Sequence, residues 1–244
     1  MLRALFPARC LGCRGPGAPF CDRCLPRVAW LDPPACRRCG RPLEWPVDRC
    51  SDCPPPPIAV ARAPLLYEGP VRQALMGMKF GGLRSSAEQM ATWMVEALGD
   101  LDVDSVAVTW VPLGRKRKAA RGFDQAEALA RHVAGRIGAP VRRLIRRRTE
   151  TTPQAKRTGP ARRDAVRGAF VGTARPPPRV LLIDDVMTSG ATAAECARVL
   201  LDGGAREVVL LTAARSLGGA VPARCYNPRR PWPGSVVARE NVSR

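Results

Sequence analysis

The chain is short of most of the residue types on which common functions are built. It has one histidine, two tyrosines, four lysines among its 40 basic residues, and only 21 acidic residues in 244. Nowhere does an apolar run approach 18 residues, so no segment reads as a membrane-spanning helix. The opening MLRALFPARC is too short, and too soon broken by Pro7, for a signal peptide. A soluble cytoplasmic protein without membrane insertion is therefore expected. The lone histidine, His132, stands between Arg131 and Val133 on an expected helix and reads as a surface or boundary residue, so imidazole-based catalysis has little to work with.

What is abundant is cysteine, and it is concentrated. Cys10/Cys13, Cys21/Cys24, Cys36/Cys39 and Cys50/Cys53 form four C-x-x-C pairs, while Cys196 and Cys225 stand apart. Each pair presents two thiolates to one tetrahedral ion, and two pairs complete a Cys₄ site. In a reducing compartment the pattern means zinc rather than disulfides. Eight thiolates imply two Zn²⁺, structural because a closed Cys₄ site has no open position. The spacing fits sequential pairing (Cys10, Cys13, Cys21, Cys24, then Cys36, Cys39, Cys50, Cys53) and also a cross-braced alternative. The run Pro54 to Pro57 follows, a stiff spacer that ends the module near residue 56. On this basis, loss of Cys36 should unfold the ribbon and leave the next domain folded.

At 244 residues with 45% apolar content, the chain has room for one substantial α/β domain beside the small module. Formal net charge is +19, and residues 115 to 167 hold 17 Lys or Arg against Asp124, Glu127, Glu150 and Asp164. Such a block attracts polyanions, whether pyrophosphate, nucleotide or nucleic acid.

Ile58 to Tyr67 is strand-like, Val71 to Phe80 and Ser85 to Leu98 have helical spacing, and Ser105 to Val111 reads as a strand. Trp93 and Trp110 read as core. A reversal at Pro112, Leu113 and Gly114 leads into Arg115, Lys116, Arg117, Lys118 and Arg121 before a helix at about 123 to 137, an arrangement suited to gripping a pyrophosphate. Val141 to Ile145 reads as a short strand and 206 to 214 as another, while the Gly-, Pro- and Arg-rich tail from 217 lacks periodicity and is expected to be disordered.

The most informative stretch is 179 to 203, RVLLIDDVMTSGATAAECARVLLDG. Four apolar residues, Val180 to Ile183, read as a buried parallel strand. They run into Asp184 and Asp185, then a small-residue turn, Thr188, Ser189, Gly190, Ala191 and Thr192, then a helix. Backbone N–H groups and hydroxyls at a helix N-terminus cradle a phosphate monoester. Two carboxylates beside it accept from a ribose diol or hold a hydrated Mg²⁺. Together they point to a ribose 5-phosphate.

Residues 180 to 192 resemble the phosphoribosyl pyrophosphate (PRPP) signature of type I phosphoribosyltransferases. With VPLGRKRKAARGFDQAEALA, Lys79-Phe80 and the cysteine pairs, residues 10 to about 215 resemble the ComF (GntX-like) family, which joins a double zinc ribbon to such a domain. The resemblance implies a mostly parallel Rossmann-like sheet flanked by helices, with a ribbon at 1–56, a phosphoribosyltransferase domain at 57–216 and a basic tail at 217–244. It implies ribose and Mg²⁺ contacts at Asp184 and Asp185, 5-phosphate contacts at 188 to 192, and diphosphate contacts at Pro112, Leu113, Gly114, Arg115 and Arg121. A flexible hood over 146 to 170 would carry Arg148, Gln154 and Arg162; Ala165 stands where the family has Asn. The family's competence role implies a link to DNA uptake, with single-stranded DNA or the uptake machinery as partners. Position 188 is Thr where purine-salvage relatives often carry a carboxylate, so no catalytic base or acceptor is legible, and no glutaminase domain supports amidotransfer.

Overall fold

A computed structural model describes residues 9–17, 19–31, 34–81, 85–148 and 166–217. The hood positions Gln154 and Arg162 and the tail from 218 lie outside the described residues.

Among the described residues, five strands form one parallel sheet. Its spine is β6 (Arg179–Met187), the apolar run extended through the two aspartates, flanked by β3 (Ala107–Trp110) and β7 (Glu207–Arg215). The far edge is shared by β1 (Val60–Arg62) and β2 (Leu65–Leu66), which pair with successive stretches of β7. The stretch that reads as one strand from Ile58 is thus two short pieces broken at Ala63-Pro64, since proline cannot donate to a ladder.

Alternation along β6 divides the core. Leu181 and Ile183 pack on one face with α1 (Gly69–Gly81), α2 (Ser85–Glu96) and α4 (Gln125–Ile137). Val180 and Leu182 face the other side, against α5 (Ala191–Asp202) and Phe170. Successive side chains of a strand point oppositely, so one apolar run fills two cores. No helix among the described residues is long and apolar enough to cross a membrane.

The basic run expected to follow a loop is itself helical. It forms α3 (Arg115–Arg121), closed by Gly122 at φ 74°, whose N–H reaches the Lys118 carbonyl. Arg, Lys and Ala are good helix formers, and glycine adopts the left-handed cap without strain. Val141 makes only an isolated bridge to Val108, and the extended segment beyond it, β4 (Ile145–Arg147), pairs instead with β5 (Phe170–Gly172) as an antiparallel ribbon.

The ribbon module packs on both faces of the sheet. Cys10, Leu11, Phe20, Cys24 and Trp30 share the first core with α1 and α2, and Phe20 stacks on Trp93 with centroids 5.7 Å apart while Trp30 meets Trp93 edge-on at 5.4 Å. Cys36 and Cys39 share the second core with Ile58, Ala61 and Leu182. The polyproline run therefore marks a change of local structure without marking a packing boundary, and this bears on the expected independence of the second domain.

Candidate functional site

The helices after β3 and β6 lie on opposite faces of the sheet, α4 on one and α5 on the other. Where neighbouring parallel strands send their chains to opposite faces, a crevice opens at their carboxyl ends. A cavity of about 320 Å³ occupies this place, lined by both post-strand loops.

Its floor is the end of β6. Asp184 and Asp185 are half-buried, and the Asp185 N–H donates to Asp184 Oδ1 at 2.8 Å. Next come Thr188 and Ser189, both exposed, then Gly190 at φ 73° as the N-cap of α5. A Cβ on Gly190 would stand 2.8 Å from Pro54 Cβ, so glycine is required both by the left-handed backbone and by the close approach of the ribbon's exit. No side chain among the described residues caps this helix, whose first turn, Ala191 to Ala193, lines the cavity.

The opposite wall comes from the loop after β3. Pro112, Leu113, Arg117 and Arg121 line the cavity, as do Asp124 and Gln125 at the start of α4. Asp124 is buried and ties the wall together: its carboxylate accepts from Leu113 N at 2.9 Å and from Glu127 N at 3.4 Å. Burial pushes the Asp124 pKa up, against the lowering influence of those two N–H groups. Arg147, whose guanidinium lies 5.2 Å from the Phe170 ring centre, and Tyr67 complete the lining.

The structure thus gathers Asp184, Asp185, Thr188, Ser189, Gly190, Ala191, Thr192, Pro112, Leu113 and Arg121 around one cavity. Gly114, Arg115 and Arg148 do not line it; Arg115 and Arg148 are exposed, and Arg148 uses its N–H on the Ala169 carbonyl. Arg117 and Arg147 occupy the cationic places instead, because the helical turn of α3 and the strand register of β4 decide which arginine points inward. Asp124 and Gln125 were readable in principle. D-Q-A-E is a capping box, which fixes a helix N-terminus and so the loop before it. Beyond the cavity, Glu195 accepts from Gly168 N at 2.7 Å and pairs with Arg198, tying Gly168 to α5.

The cysteines form two clusters, Cys10, Cys13, Cys21, Cys24 and Cys36, Cys39, Cys50, Cys53, so the pairing is sequential. Sulfur separations of 3.6 Å for Cys13–Cys21 and Cys36–Cys53, 3.5 Å for Cys39–Cys50 and 3.8 Å for Cys50–Cys53 suit a tetrahedral ion. Thiolates held about 2.3 Å from zinc sit about 3.8 Å apart. Backbone N–H groups from Cys21, Cys13 and Gly12 outweigh the burial that raises Cys10 and bring its pKa down to about 6. In the second cluster, amides of Cys39 and Cys50 do the same for Cys36, against burial, to about 7. Cys196, fully enclosed, is pushed well above the usual thiol range by burial and is inert.

Residues 1–54 match the model of the double zinc ribbon domain. The chain is 25% identical to competence protein F of Haemophilus influenzae over 227 residues, 86% of this chain and 98% of the relative. It is 27% identical to DNA utilization protein YhgH of Escherichia coli K12 over 228 residues, with the same shares. Among solved structures it is similar to an orotate phosphoribosyltransferase from Aeropyrum pernix (22% identity, 56% of this chain and 75% of that one, TM-score 0.36). The chain thus carries a double zinc ribbon module of two Cys₄ clusters docked on a parallel α/β domain, and along most of its length it is similar to competence protein F and to YhgH.

Proposed function

We propose that this protein binds PRPP with Mg²⁺ in the cavity between the β3 and β6 loops and serves DNA uptake through that ligand. The observation that carries the reading is the convergence, on one cavity of about 320 Å³, of two adjacent carboxylates, an uncapped helix N-terminus in a Thr/Ser/Gly loop, and Arg117, Arg121 and Arg147. A phosphate monoester fits the 188–192 loop, where N–H groups and the helix dipole meet it. Asp184 and Asp185 accept from the ribose 2- and 3-hydroxyls, and the three arginines stabilise negative charge on the diphosphate. Mg²⁺, carried in with the diphosphate and held by Asp184 and Asp185 through water, would offset charge on the leaving group. The relatives' names, competence protein F and DNA utilization protein, support a role in DNA uptake.

The exposed Thr188 favours a second reading, in which the site binds without turning over. No carboxylate stands at that position to take a proton from a nucleobase. The protein would then be a nucleotide- or single-stranded-DNA-binding accessory of uptake. Pyrophosphate release from PRPP with Mg²⁺, screened across nucleobases, amines and single-stranded DNA, separates the two. Release with one acceptor establishes a phosphoribosyltransferase. PRPP binding without release establishes the accessory, and absence of binding refutes both forms of the PRPP reading.

A further inference from the structure

Gln125 holds a hydrogen-bond donor that its surroundings leave unused. It is the first residue of α4, 4% exposed, and its Oε1 accepts from Arg121 Nη1 at 3.2 Å. Its Nε2 is buried and has no hydrogen-bond partner among the described residues. The amide cannot be turned over to repair this, because its NH₂ would then face the guanidinium of Arg121, donor against donor. Neighbouring Asp124 turns its carboxylate to Leu113 N and Glu127 N and makes no hydrogen bond with this amide. A buried amide donor without an acceptor is costly, and native proteins retain few of them.

Gln125 lines the cavity together with Leu113, Arg117, Arg121 and the residues of the 188–192 loop. We propose that Gln125 is a recognition residue for the diphosphate, its Nε2 donating to a diphosphate oxygen while Arg121 fixes the orientation of the amide. This rests on the PRPP reading above. Phosphate oxygens only accept, so a neutral amide whose single acceptor is occupied by Arg121 presents pure donor character to them. The wall to which Gln125 belongs is the one built of arginines, and the phosphate at the other end of the ligand is served by the α5 N-terminus. Gln125 therefore discriminates between the two ends.

The test uses the full-length zinc-loaded protein and two probes measured separately by calorimetry, Mg²⁺-pyrophosphate and ribose 5-phosphate. In Gln125→Met, affinity for pyrophosphate should fall roughly tenfold to a hundredfold, the loss of one hydrogen bond to a charged acceptor. Affinity for ribose 5-phosphate should not change. The melting temperature of the ligand-free variant should equal or exceed that of the parent, because the substitution removes an unsatisfied donor. Gln125→Asn, which withdraws the amide by one methylene, should show the same selective loss and serves if the Met variant fails to fold. Unchanged pyrophosphate affinity in a folded variant would overturn the proposal, as would equal losses for both probes or a lowered ligand-free melting temperature with intact binding. If the parent protein binds ribose 5-phosphate but not pyrophosphate, only the role of Gln125 falls; if it binds neither probe, the PRPP reading falls with it.

Discussion

The guanidinium of Arg215 donates to the carbonyl oxygen of Cys39 at 2.6 Å across 176 residues of sequence, and its other Nη donates to the Asp52 carbonyl at 2.9 Å. Arg215 ends β7 and is 3% exposed, so both Nη groups of a buried cation are taken up by the backbone of the second zinc-cluster segment. One residue on, Ser216 N donates to the Met187 carbonyl at the end of β6. The ribbon, the end of β7 and the start of the 188–192 loop are thereby joined through a few backbone atoms.

Arg215→Met should lower stability by roughly 1 to 3 kcal/mol, because it leaves the buried Cys39 carbonyl without its partner and removes the part-buried contact to the Asp52 carbonyl. Urea denaturation followed by tryptophan fluorescence checks the size. A change below about 0.5 kcal/mol, the scale of an uninvolved surface site, would show that the contact contributes nothing.

The protein should hold two zinc ions per chain, one for each cluster, by elemental analysis. Cys36→Ser should lose one of them and should also destabilise the sheet, since Cys36 and Cys39 share a core with Ile58, Ala61 and Leu182. Zinc release and loss of far-ultraviolet ellipticity should then coincide along a denaturant series. Two separated transitions, with the sheet melting as in the parent, would restore the independent module that the polyproline run led one to expect.

Much of this was legible from residue order alone. The cysteine pairs, β6 and the 188–192 loop are local patterns in which chemistry and spacing sit together, and the structure keeps them together. What was not legible depends on side-chain direction or distant contact. Arg117 and Arg147 line the cavity where Arg115 and Arg148 do not, a matter of helical phase in α3 and of strand register in β4. Arg215 fell just past the strand read at 206 to 214, and nothing in a sequence links position 215 to position 39.

Gly190→Ala should cost about 1 to 3 kcal/mol, since φ 73° is strained for an L side chain and the added methyl meets Pro54. Ligand affinity should fall further than stability, because the displaced backbone is the proposed phosphate cradle. Thermal melts with and without ribose 5-phosphate measure both. Parent-like melting with parent-like binding would remove the coupling between the ribbon's exit and the loop.

The Glu195 carboxyl is held below its ordinary value of 4.5, chiefly by Arg198, with Gly168 N assisting against burial. A depressed folded pKa contributes stability that is present above the unfolded value and is lost as pH falls through the folded one. Glu195→Gln should therefore destabilise near neutrality and converge with the parent below about pH 4. Melting temperatures across pH 3 to 7 give the comparison, and parallel curves for the two proteins would remove Glu195 from the acid limb.

The central claim is that the cavity at the end of β6 receives PRPP through Asp184 and Asp185. Calorimetric titration of PRPP with Mg²⁺ into the parent protein and into Asp184→Asn/Asp185→Asn tests it most directly. Binding should be present in the first and absent in the second, with the two melting temperatures within a few degrees because strand-end acids contribute little to the core. Equal affinity in the two proteins would contradict the account.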